Sequence, residues 1–203
     1  MPVSERRLRW GIKPAVFLLC LVPLLWLVWD IVQEQLSANP IEDITHRTGD
    51  WALRFLLITL AVTPLKRLSG QVWLLRLRRM LGLYAFFYTL LHFLTYLWLD
   101  QQFLFSEILV DIGKRPYITV GFSAFVLLIP LAVTSNRYAM RRLGRRWQKL
   151  HRSVYIIAVF GVLHYLWLVK ADSRDPIIYG VVLVGLLGVR AWWQRRDSRL
   201  RAI

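Results

Sequence analysis

Six apolar stretches, each near twenty residues and joined by short polar connections, constrain this chain more than any other feature. They run at about 15–32, 51–65, 80–99, 117–136, 153–169 and 177–193. A hydrocarbon core of about 30 Å takes about 20 helical residues at 1.5 Å each. The third and fourth runs meet that without a charged residue. The second is short and holds Arg54, and the last reaches Arg190 early. Both still span if those guanidiniums snorkel to the nearer interface. The expected fold is all-α: a polytopic membrane bundle of six transmembrane helices. The connections leave no room for a second folded unit, so residues 1–203 read as one domain, and no internal repeat is visible.

The charge has a direction. There are 27 Lys and Arg against 12 acids, a formal +15, yet 57% of the chain is apolar and ten residues are Trp. Disordered basic tails lack that apolar and aromatic content. Four basic residues precede the first run, five lie between the second and third, seven between the fourth and fifth, and five at the C-terminal end. The other side carries Arg47, Lys114, Arg115, Lys170 and Arg174, with most of the acids. The positive-inside rule then places both termini in the cytoplasm. It also explains a pI near 10.9 without nucleic acid. The first run lacks a small-x-small cleavage site before Asp30 and reads as a retained helix. Cys20, the single cysteine, excludes a disulfide framework and a cysteine metal cluster.

Ionisable groups inside a membrane point to function, because burying them must be compensated. His46 falls among Glu42, Asp43, Arg47 and Asp50 and reads as a solvated loop residue. His92 lies 13 residues past Arg79 and His164 lies 15 past Lys149, depths of about 19 and 22 Å on helices running the same way. Two imidazoles at one level suit the iron of a heme, since bundles build cofactor sites from facing helices. Zinc would want further ligands, and no cysteine or carboxylate sits there. His151 is about 3 Å deep on the same arithmetic, level with Arg78 and Arg79 of the third run. It could ligate a second heme alone, contact a propionate, line a quinone or flavin site, or cap the helix entrance. Asp50 and Arg54 are i,i+4 partners, and Arg54 could instead neutralise a heme propionate. Trp and Tyr at the run ends form the usual interfacial belt.

Several ordered motifs resemble a known family. They are Thr48-Gly49-Asp50-Trp51-Ala52-Leu53-Arg54 with Thr63-Pro64-Leu65; Arg78-Arg79-Met80-Leu81-Gly82 leading to His92; Lys114-Arg115-Pro116-Tyr117-Ile118-Thr119-Val120-Gly121; and Trp147-Gln148-Lys149-Leu150-His151-Arg152 leading to His164. Together they resemble the heme-binding membrane subunits of bacterial periplasmic protein-methionine-sulfoxide reductase systems, part of the ferric-reductase-like transmembrane family. The resemblance covers nearly the whole chain. It implies a b-type cytochrome of the bacterial inner membrane that passes electrons from the quinone pool, or a cytoplasmic flavin reductase, to a periplasmic molybdopterin enzyme repairing oxidised methionine in proteins. It implies heme b, FMN as a further cofactor, and an electron-transfer subunit rather than a catalytic one. His92, His151 and His164 match the family's histidine positions. The chain departs from the broader pattern in lacking a fourth heme histidine and any attached flavin or nicotinamide domain. Two rivals stand beside this reading: a self-contained ferric or quinone reductase, and a transporter or assembly protein whose histidines bind substrate or protons.

Overall fold

The computed structural model describes residues 4–169 and 173–200, and every regular element among them is helical. Lys170 and Arg201, which entered the charge count, lie outside them. A short turn, α1 (Glu5–Arg7), runs through a π-helical segment into α2 (Lys13–Val32). There follow α3 (Pro40–Ser69), α4 (Arg78–Thr95) with a π-helical extension over Tyr96–Asp100, α5 (Phe105–Lys114), α6 (Pro116–Val133), α7 (Arg137–Leu143), α8 (Arg145–His151), α9 (Val154–Leu168) and α10 (Arg174–Leu200). The punctuation is chemical. Asn39 caps α3 with Pro40 behind it, Gly70 ends that helix at φ 69°, and Pro116 opens α6.

Among the described residues, five helices are long and apolar enough to cross a bilayer: Glu5–Val32, Arg78–Asp100, Pro116–Val133, Arg145–Leu168 and Arg174–Arg199. The second run is the exception to the six expected. It lies within α3, whose 30 residues carry Asp50, Arg54 and charges at both ends. α3 is nonetheless the most enclosed helix. It buries Ala52, Leu53, Phe55, Leu56, Leu57, Leu60 and Val62, with Leu60 fully inaccessible. A helix ringed by other helices need not be as apolar as one facing lipid. Two connections read as loops are helical as well: α5 lies between the third and fourth runs, and α7 with α8 between the fourth and fifth.

The bundle is built twice over. The most extensive helix pairings are α3 with α4 and α6 with α9. These two hairpins superimpose in register along the sequence. His92 and His164, Thr45 and Tyr117, and Gly49 and Gly121 are each 72 residues apart (92 to 164, 45 to 117, 49 to 121). Leu91-His92-Phe93-Leu94 returns as Leu163-His164-Tyr165-Leu166. The repeat escapes a sequence reading because its signature is a handful of positions scattered over four helices.

α2 is bound to the first hairpin by an inserted hydroxyl. Tyr88 donates to the Cys20 carbonyl at 2.9 Å and accepts from the Leu24 N–H at 3.2 Å. Cys20 and Leu24 are i,i+4, so the phenol bridges the two ends of one helical hydrogen bond. Pro23 lies within this turn and lacks an N–H of its own. Tyr84 donates to the Phe17 carbonyl at 2.9 Å one turn earlier. At the other end of α2, the buried Asp30 takes the Arg47 guanidinium at 2.5 Å.

Candidate functional site

The two hairpins enclose a cavity of about 500 Å³ lined by residues of both, within the usual range for ligand sites. Its walls are assembled from repeat pairs: Ala52 with Ala124, Leu53 with Phe125, Leu56 with Leu128, Thr89 with Gly161, Phe93 with Tyr165. The lining is largely apolar, and Phe93 stacks on Phe125 at 4.6 Å between ring centroids, closing one flank.

His92 and His164 face each other across this space, with ring centroids 6.0 Å apart and planes at 74°. Each is held the same way. His92 Nδ1 pairs with the Thr45 carbonyl at 2.9 Å, and His164 Nδ1 with the Tyr117 carbonyl at 2.7 Å, both across 47 residues of sequence. A carbonyl only accepts, so each Nδ1 carries the proton, and the tautomer leaves the Nε2 lone pair free. Neither Nε2 has a hydrogen-bond partner among the described residues. The glycines explain how a backbone comes so near. A Cβ on Gly49 would stand 3.0 Å from His92 Nδ1, and one on Gly121 would stand 2.6 Å from His164 Nδ1. Thr45 and Gly49 are four residues apart on α3, and Tyr117 and Gly121 four apart on α6, so carbonyl and gap share one helix face.

The separation suits a metal between the rings. A metal–imidazole bond of about 2 Å puts the metal roughly 3 Å from a ring centroid, so two such ligands lie about 6 Å apart. No group of three or more His, Cys, Asp or Glu is arranged to hold a metal among the described residues. Two nitrogens in a roomy apolar slot are therefore what the chain offers. That donor set fits heme iron, whose porphyrin supplies the other four ligands.

The remaining candidates fall elsewhere. His151, at the end of α8, stacks on Trp147 at 3.9 Å and its Nε2 lies 3.1 Å from the Thr134 hydroxyl. Arg78 is its charged neighbour. It does not line the cavity. Arg54 is also outside the lining. Its Nε donates to the Tyr179 hydroxyl at 2.8 Å, its Nη2 is 3.5 Å from Asp50, and its guanidinium lies over the Trp51 ring. His46, expected in a loop, is on α3 and at the cavity mouth, with Glu42 and Asp50. Sequence reasoning missed Thr45, Tyr117, Gly49, Gly121 and Arg115 as site residues. The equal spacing of glycine and histidine in both halves was the signal that could have found the glycines.

Comparison with known proteins follows the same lines. Residues 48–162 match the family described as ferric reductase like transmembrane component. A relative from Herminiimonas arsenicoxydans is 57% identical over 192 residues, 92% of this chain and 88% of its own length. One from Azospira oryzae is 58% identical over 182 residues, 89% of this chain and 78% of its own. A third, from Bordetella pertussis, is 52% identical over 191 residues, 92% and 93% of the two. Each is named protein-methionine-sulfoxide reductase heme-binding subunit MsrQ. No solved structure matches the chain.

Proposed function

The chain belongs to the ferric reductase like transmembrane component family, and we propose that it works as a b-type cytochrome relaying electrons to a methionine sulfoxide reductase. It is an integral, multi-pass membrane protein. In this reading six helices span the bacterial inner membrane with both termini cytoplasmic, α3 being the sixth. Electrons come from the quinone pool or a cytoplasmic flavin reductase. They leave at the periplasmic end to a docked molybdopterin-containing catalytic subunit that repairs oxidised proteins.

One observation carries the proposal: two backbone-tethered imidazoles 6.0 Å apart, each with a free Nε2, in an apolar cavity. Heme held there supplies a one-electron carrier. The protein's part is rigidity. The Thr45 and Tyr117 carbonyls fix the proton on each Nδ1 and stop the rings turning. Gly49 and Gly121 admit the rings against the backbone. Leu53, Leu56, Phe125 and Leu128 keep water from the carrier, which favours transfer over side reactions. With both axial positions filled by protein, nothing has to bind or leave at the metal as the electron passes. His151, at the opposite end of the bundle, is suited to contact the donor, whether quinone or flavin.

The test is spectroscopic. The purified chain should show a low-spin b-type spectrum on reduction, and His92→Ala and His164→Ala should each abolish it and most bound heme. A normal low-spin spectrum in both variants would remove the assignment. Reoxidation that depends on adding the catalytic subunit and oxidised substrate separates the relay from a self-contained reductase. Absence of any heme signal in the wild type would leave the transporter reading.

A further inference from the structure

Heme carries two carboxylates, and the heme reading above requires that they find a counter-charge at the wet end of the cavity. The mouth is where the repeat breaks down. Glu42, Asp50 and Asp100 line it and would repel a carboxylate. Arg115 is the one Lys or Arg among the described lining residues. Its counterpart 72 residues earlier is Asp43, which is tied to Arg47 at 3.0 Å.

Arg115 is also built to be used. Its Nε lies 2.9 Å from Asp111 Oδ1, pinning one edge of the guanidinium. Its Nη1 makes a long contact of 3.3 Å with the Tyr117 hydroxyl, and Nη2 has no partner among the described residues. Asp111 in turn lies 3.4 Å from the Tyr96 hydroxyl and 3.5 Å from Gln101, just beyond the helix that bears His92. On the other side, Arg115 is two residues before the Tyr117 carbonyl that holds His164. The hydrogen bond to Tyr117, with the charge of Asp111 beside it, raises Arg115 above its ordinary range, so it remains cationic at any working pH. Arg54, the other arginine near this end, is engaged by Tyr179 and Asp50.

We propose that Arg115 receives a carboxylate of the porphyrin and so fixes which edge of the heme faces the mouth. This rests on the heme reading, and the experiment separates the two. The heme-poor chain and its Arg115→Gln variant are titrated with hemin and with the hemin dimethyl ester, whose carboxylates are blocked. Wild type should bind the ester about tenfold more weakly than hemin, the size of a lost charge-assisted hydrogen bond. Arg115→Gln should bind both alike, at the affinity wild type has for the ester. Arg115→Lys should keep a preference for hemin, and Arg54→Gln should keep the full preference. If Arg115→Gln discriminates as strongly as wild type, or if wild type does not discriminate, the proposal falls and the heme reading stands. Should the wild type bind neither compound, both fall together.

Discussion

At the scale of single residues, the site depends on what two glycines omit. Alanine at Gly121 would bring a methyl carbon to 2.6 Å from His164 Nδ1, and alanine at Gly49 one to 3.0 Å from His92 Nδ1. Either forces the imidazole or the helix to move, and overpacking of that kind costs about 1–3 kcal/mol. We expect Gly121→Ala to weaken heme retention more than Gly49→Ala, measured as heme per protein after identical purification. Equal retention in both variants would mean the rings are not held by these backbone contacts. His151 should behave differently from the pair. It stacks on Trp147 outside the cavity, so His151→Ala is expected to keep near-wild-type heme while slowing reduction by the donor. Loss of about half the heme would instead assign it to a second site, a one-of-two ratio resting on ligand count. Complete loss would mean the wrong histidines have been paired.

Among the elements, α2 shows how a side chain can complete a helix. Tyr88→Phe removes the hydroxyl that bridges the Cys20 carbonyl and Leu24 N–H, leaving both without that partner beside Pro23. Leaving a buried polar group unsatisfied costs about 1–3 kcal/mol. Thermal unfolding in detergent should show that loss, and an unchanged midpoint would mean the helix closes the bond itself. Residues such as these mark the limit of what could be read beforehand. The apolar runs announced helices because hydropathy is local, and His92 and His164 could be levelled by counting at a fixed rise per residue. The extent of α3 was hidden, since its charged N-terminal turns from Pro40 resemble a loop in composition. α5 was hidden for the same reason, with Glu107 and Asp111 interrupting its apolar face. Arg115 could be seen only as one basic residue of a connection, because its place at the cavity mouth depends on four helices at once.

For the whole molecule, the topology proposal makes a direct prediction. A reporter fused after Ile203 should read cytoplasmic, and one inserted within 101–111 should read periplasmic. The opposite result would reverse the proposed direction of electron flow. The doubled hairpin has a further consequence, for how the protein is made. Each half brings its own histidine and the carbonyl that tethers it, 47 residues apart, but the second imidazole comes 72 residues after the first (92 to 164). At about 5–20 residues per second, a ribosome takes roughly 4–14 seconds to cover that interval. Throughout it the nascent chain holds a finished half-site: one oriented imidazole, open to the lipid or to a chaperone. A nascent chain arrested before α9 can offer iron one histidine from this cavity, so six-coordinate loading has to wait for translation of the fifth apolar run.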